Sequence, residues 1–249
     1  MLHADATPVQ EALIEVALPP RRPLRPLDSF AGSLAQRVYA SLREAILSLN
    51  LRPGDILRKP EICAALGVSR SPVSEAVARL AGEHLVRIVP QAGTYVARLS
   101  LDEIREGAFL REALELAAVE KVAGAVTDDQ LGQLRRNLRL QAALIEDHDF
   151  AGFYQTDAAM HELILSFTGF RRVAGLADTS WVHVNRARQL ILPAPGRIQA
   201  TLTEHQAIIA AIEARDAPAA RAATKLHLGK LIGFLEPLAR NRPDLFDPE

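Results

Sequence analysis

Between positions 33 and 49 the apolar residues Leu34, Val38, Leu42, Ala45, Ile46 and Leu49 recur at three- and four-residue spacing, which predicts a helix with one buried face. The run Arg52-Pro53-Gly54-Asp55 then reverses the chain. A short second helix is expected over 60–66 and ends at Gly67, a residue that tolerates positive φ. Ser69 or Ser71 caps a third helix, Pro72 suits its first turn, and Val73, Val77 and Leu80 share one face. After it, "LVRIV" and "TYVAR" are β-rich runs joined by "PQAG", the pattern of a hairpin. Three helices and a hairpin over 30–99 predict a winged helix-turn-helix.

Beyond Ser100 only helical periodicity remains. Helices are expected near 100–125, 127–146, 149–167, 170–192, 197–214 and 217–239, separated by Gly169, Pro193 to Gly196 and Asp216-Ala217-Pro218. "SLDE" at 100 and "TDDQ" at 127 have the form of a capping box. The fold class is therefore mainly α. An antiparallel all-helical bundle of about six helices occupies 100–240 and follows the winged helix. Pro19, Pro20, Pro23 and Pro26 mark residues 1–29 as a flexible arm, and 241–249 form a tail.

Composition narrows the class of protein. Of 249 residues, 49% are hydrophobic, enough for two cores, and the single cysteine, Cys63, rules out an internal disulfide framework. No apolar run approaches the roughly 20 residues of a membrane span, and the N-terminus lacks a signal-peptide pattern, so a cytoplasmic protein is expected. Lys and Arg number 29 against 30 Asp and Glu, so the whole-chain charge suggests no polyanionic partner. The balance is local. Residues 30–99 hold nine basic and five acidic side chains, a net of +4 that suits a phosphate backbone. Helix-turn-helix modules place the start of the second helix in the major groove. There Ser69 and Ser71 can approach closely and Arg70 can reach a base or a phosphate.

The bundle carries a second chemistry. Asp157 and His161 are one helical turn apart within the apolar stripe Phe153, Asp157, His161, Ile164. His205 continues the stripe Leu202, His205, Ile209, Ile212, and His227 continues Ala223, His227, Leu231. Four polar groups from three apolar faces would be costly to bury unpaired, and together they suit a divalent metal such as Zn, Ni, Mn or Fe. "HELIL" at 161 lacks the second histidine of the HExxH protease motif. Three readings follow: a metal site that controls the winged helix, a metal-dependent hydrolase or oxygenase with an accessory winged helix, or a metal held only for stability. Arg186 and Arg188 on the fourth bundle helix either face a cavity or belong to a solvated face, and Trp181 and His183 either line a cavity or pack.

The segments "VYASLREAILSLNLRPGDIL", "ALGVSRSPVSEAVARLAGEHLV" and "VPQAGTYV" resemble the N-terminal domain of GntR-family transcription regulators. The resemblance implies DNA contacts at Ser69, Arg70 and Ser71, a phosphate contact at Arg43, and a wing whose approach to the minor groove Gly93 permits. Two positions depart from the family: Ser74 stands where arginine is usual, and Pro60 stands in "RKPE" where a polar residue is usual. "FLREALELAAVEKVA", "DAAMHELILSFTG" and "EHQAIIAAIEARD" resemble the FCD domain of the FadR subfamily. Here the resemblance implies a metal on Asp157, His161, His205 and His227, zinc above the other three. It also implies a small organic-acid effector held by Arg111, with Arg186 as a further candidate; the alternative for Arg111 is an i,i+4 ion pair with Glu115 on its own helix. A homodimer on a double-stranded DNA operator, without catalysis, completes the expectation. Phe170 replaces the family's usual Asn after Gly169.

Overall fold

A computed structural model describes residues 18–173, 181–191 and 196–248. They fall into two compact units, Ala17–Leu101 with Arg242–Glu249, and Asp102–Asn241. Residues 174–180 and 192 of the expected helix over 170–192 lie outside the described residues, as do the first 17 residues of the arm.

The smaller unit is built on α1 (Leu34–Leu47), α2 (Lys59–Leu66) and α3 (Arg70–Gly82), followed by β1 (Val86–Val89) and β2 (Gly93–Val96). Ser33 and Gln36 form a reciprocal capping box at the start of α1, which satisfies two N–H groups left free by helix geometry. The apolar stripe of α1 packs on that of α3, and Val38, Leu42, Ile46, Val73 and Leu80 are fully buried. Each such side chain contributes roughly 1.5–3 kcal/mol by leaving water. Gly67 ends α2 at φ 65°, where its N–H reaches the Cys63 carbonyl. The strands pair antiparallel with Val86 opposite Val96 and Val89 opposite Gly93. Residues 54–57 run along the other edge of β2, with Leu57 N–H donating to the Thr94 carbonyl at 2.8 Å.

Two segments expected to be loose belong to this unit. In the arm, Arg21 pairs with Asp55 at 2.8 Å, the Arg22 N–H donates to Asn50 Oδ1, and Arg25 reaches Glu44 at 3.0 Å. The C-terminal residues are held more deeply. Leu245 and Phe246 are buried, and Leu99 donates to the Leu245 carbonyl while accepting from Asp247 N–H, both at 2.9 Å. Burial of two large apolar side chains, with backbone pairing, makes the segment part of the small core and not a free tail.

The larger unit is helical throughout its described residues: α4 (Leu101–Ala125), α5 (Asp128–Glu146), α6 (Phe150–Phe167), α7 (Val182–Ile191), α8 (Arg197–Glu213) and α9 (Ala217–Asn241). Thr127 and Gln130 make the expected capping box at α5, and Asp149 caps α6 by accepting from Gly152 N–H. Helix α8 packs against α5 and α9, and α6 against α5, so apolar stripes from several helices meet at one interior. No described helix is long and apolar enough to cross a membrane.

Candidate metal centre and nucleic-acid interface

Asp157 and His161 from α6, His205 from α8 and His227 from α9 meet inside the bundle, each offering one ligand atom within 4.8 Å of the others. All four are buried, Asp157 and His205 completely. The helical stripe explains the meeting: positions four apart on α6 share a face, and the other two histidines occupy the inward faces of their helices.

Each imidazole is aimed by a hydrogen bond from its far nitrogen. His161 Nδ1 lies 2.7 Å from Glu115 Oε2, His227 Nδ1 lies 2.7 Å from Glu204 Oε2, and His205 Nδ1 lies 2.8 Å from Gln141 Oε1. Carboxylate and amide oxygens only accept, so Nδ1 carries the proton and Nε2 is left as a bare lone pair. Gln141 is fixed in turn, because its amide donates to Asn137 Oδ1 at 2.6 Å and Asn137 donates to the Thr156 carbonyl.

The lone pairs face one another. His205 Nε2 is 3.1 Å and His161 Nε2 3.7 Å from the same Asp157 Oδ1, and none of these three atoms has a hydrogen-bond donor among the described residues. Acceptors packed together without a proton repel, and a divalent cation removes that conflict. The donor set of three nitrogens and one oxygen fits zinc and also nickel, manganese and iron. Burial holds the pKa of all three imidazoles below the ordinary histidine value, keeping them neutral as ligands must be. Burial alone would raise Glu115, but Arg111 and then His161 outweigh it and hold its carboxyl well below the usual range. Glu204 is likewise pulled down to about 2, against burial, by hydrogen bonds from His227 and Arg197.

Arginines stand behind these partners. Arg111 Nε donates to Glu115 at 2.6 Å, Arg197 grips Glu204 through two bonds of 2.7 and 2.9 Å, and Arg188 touches Asp157 Oδ2. Arg111, Arg188 and Arg197 line one cavity with His227, Leu231 and Phe234. Of the two arginines expected at an effector, only Arg111 lines this cavity. Arg186 is fully buried elsewhere on α7, and Arg188, two positions on, takes the lining position. Trp181 is buried beneath the Arg111 guanidinium, 5.2 Å from it, and His183 lies 3.5 Å from Glu103. Phe170 is largely exposed.

Gln141, Glu204 and Arg197 had no place in the sequence reading of the site, and Glu115 entered it only as an i,i+4 partner for Arg111, a pair that the structure forms. The signals were faint but present. Gln141 continues the stripe of Leu131, Leu134 and Leu138, and Glu115 stands in the stripe that includes Arg111, Val119 and Val122.

In the smaller unit Ser69, Arg70 and Ser71 are exposed at the start of α3, and the Ser69 side chain makes no capping bond. Ser74 is half-buried and accepts from Lys59 Nζ at 3.2 Å, so a cation does stand beside the position that lacks arginine. Gly93 opens β2 at φ 135°, a conformation that L side chains rarely adopt. Arg43 is 3.3 Å from Glu83, which also accepts from Tyr39 Oη at 2.5 Å and pairs with Arg79. Arg79 stacks 3.7 Å over the Tyr39 ring. Two cations of the +4 field are therefore engaged between α1 and α3, while Arg70 is exposed at the helix start.

Comparison with known proteins agrees with this division. Residues 34–96 match the gntR family of bacterial regulatory proteins, and 106–230 match the FCD domain. An HTH-type transcriptional regulator in an unstable DNA locus of Streptomyces ambofaciens is 32% identical, over 84% of this chain and 88% of that protein. The HTH-type transcriptional repressor RspR of Escherichia coli is 29% identical over 86% and 94%. The crystal structure of a GntR regulator from Rhodococcus sp. RHA1 superposes with a TM-score of 0.73 at 28% identity, covering 82% of this chain and 99% of that one. A winged helix with an exposed recognition-helix start, followed by an FCD bundle, identifies the chain as a DNA-binding transcriptional regulator of the GntR family.

Proposed function

We propose that this regulator holds one divalent metal ion on Asp157, His161, His205 and His227, and that a small organic acid bound beside it controls binding to a DNA operator. The observation that carries this reading is the set of donorless lone pairs around Asp157 Oδ1, next to a cavity lined by three arginines. A bound divalent ion supplies positive charge and open coordination positions for a carboxylate oxygen. The chain's own residues do the rest. Glu115, Gln141 and Glu204 orient the imidazoles, Arg188 holds the second oxygen of Asp157, and Arg111 offers a planar donor to an acid.

The winged helix reads the operator through Arg70 with Ser69 and Ser71, and a homodimer places two such helices on two half-sites. Effector binding then couples to DNA binding as a free energy between two sites, without catalysis. Elemental analysis of the purified full chain, before and after chelation and reloading with zinc, tests the reading. About one ion per chain is expected, with effector-dependent release from or retention on DNA only when loaded. A chain that holds no ion after reloading refutes it.

A further inference from the structure

The charges around the cavity specify more than an acid. Arg111, Arg188 and Arg197 contribute three positive charges, and their partners Glu115, Asp157 and Glu204 contribute three negative ones, each paired with one arginine. The protein's own charges therefore cancel. Imidazoles that ligate a metal are neutral, so a divalent ion would leave the site with two uncompensated positive charges in a buried place.

Recognition groups are in place for more than one acid function. Arg111 is 4% exposed, and its Nη2 has no hydrogen-bond partner among the described residues, although its Nε is taken by Glu115. A buried guanidinium nitrogen left without an acceptor is costly unless a ligand supplies one. All three guanidiniums line the same cavity. Each is stacked on an aromatic ring, Arg111 on Trp181, Arg188 on Tyr154 and Arg197 on Phe234, which limits their freedom to swing away.

The remaining wall is apolar. Leu228, Leu231 and Phe234 line it, and the one lining hydroxyl among the described residues, Thr201 Oγ1, already donates to the Arg197 carbonyl. Hydroxyl groups along a sugar acid would find few partners there, whereas a hydrocarbon chain would meet apolar side chains.

We infer that the effector is an aliphatic dicarboxylate, one carboxylate directed to the metal and the second to Arg111 and its neighbouring arginines. This rests on the metal-and-acid reading above. The two negative charges offset the ion, and the short carbon chain meets the leucines.

The test uses the full-length protein loaded with zinc and a matched panel: butyrate, succinate, glutarate and glucarate. Thermal shift and calorimetric titration should show succinate or glutarate binding roughly 10- to 100-fold more tightly than butyrate, the effect of one charge-assisted bond. Glucarate, equally charged but hydroxylated, should bind more weakly than either. Equal affinity for butyrate and the dicarboxylates overturns the dianion inference and leaves the metal-and-acid reading standing. Tighter binding of glucarate overturns the aliphatic part. If zinc binds and no acid in the panel shifts the melting temperature, both this inference and the effector reading fail; if zinc itself does not bind, the earlier reading fails first. Arg111→Lys keeps a positive charge beside Glu115 but loses the planar fork. It should retain zinc by elemental analysis while the preference for dicarboxylate over butyrate falls at least tenfold. An unchanged preference in the zinc-loaded variant removes Arg111 from recognition.

Discussion

His205 Nδ1 lies 2.8 Å from Oε1 of Gln141, 64 positions earlier in the chain, and both side chains are fully buried. This bond sets the tautomer of the most deeply buried of the three imidazoles. Replacing Gln141 with Leu preserves volume and removes the acceptor, so the His205 ring loses its aim without losing its packing. Metal affinity should fall roughly 10- to 100-fold, the usual effect of losing an outer-shell partner. Competition with a chromogenic chelator measures it. An unchanged affinity would mean that packing alone orients His205.

Acid should destabilise the helical unit in two separate windows. The three imidazoles titrate below the ordinary value of 6.5 in the folded chain, so the unfolded chain takes up protons first as pH falls. Stability is fully present above about pH 6.5 and declines below it. Glu115 and Glu204 have depressed folded values, and their contribution is lost only below about pH 4.5. Added metal should steepen the upper decline, because protons compete with it for Nε2. Melting temperatures of chelator-treated and zinc-loaded protein between pH 8 and 5 provide the measurement. A flat profile from 7 to 5.5 in both forms would contradict the burial of neutral imidazoles.

How much of this was legible depended on whether a residue's role shows in local spacing. The stripe of Leu42, Ile46 and Val38 announces α1, and Phe153, Asp157, His161 and Ile164 announce an inward polar pair, because a helix repeats every 3.6 residues. Glu204 carries no such mark. It is polar on a helix that shows solvent many polar residues, and only the fold brings Arg197 and His227 to it. Arg43 looked available for phosphate for the same reason, since Glu83, 40 positions away, is invisible to local pattern. Arg186 and Arg188 differ by two positions on α7, about 200° around the helix, so spacing alone could not say which one faces the cavity. Leu245 and Phe246 are too short a run for any period, and their burial is wholly tertiary.

The two arginines of the winged helix should separate in a salt titration. Arg70 is exposed at the start of α3, whereas Arg43 is held by Glu83. Each phosphate contact contributes about 0.9 to the slope of log affinity against log salt. Arg70→Ala should therefore reduce the slope by about 1, with Arg43→Ala changing it by less than half as much. Gel-shift titrations from low to physiological salt give both slopes. The reverse order would mean that Arg43 leaves Glu83 on DNA and is the stronger phosphate contact.

The C-terminal segment makes the last prediction, because it joins the DNA-binding unit after the chain has completed the whole bundle. Phe246 is 4% exposed and pairs with Leu99, whose N–H donates to the Leu245 carbonyl and whose carbonyl accepts from Asp247. Leu99 follows β2 by three residues, so the segment braces the end of the wing sheet. Phe246→Ala removes a buried ring and should cost the small unit about 3 kcal/mol, at the lower end for such truncations because a chain end relaxes easily. Hydrogen exchange on the full-length variant should show faster exchange at the Leu99 amide and at Leu57, whose N–H bonds β2 from its other edge. Metal content should stay the same, since all four proposed ligands lie in the other unit. Unchanged exchange at Leu99 would show that the segment rests on the surface without bracing it. A loss of metal would show instead that the change reaches the bundle through the chain at Asn241.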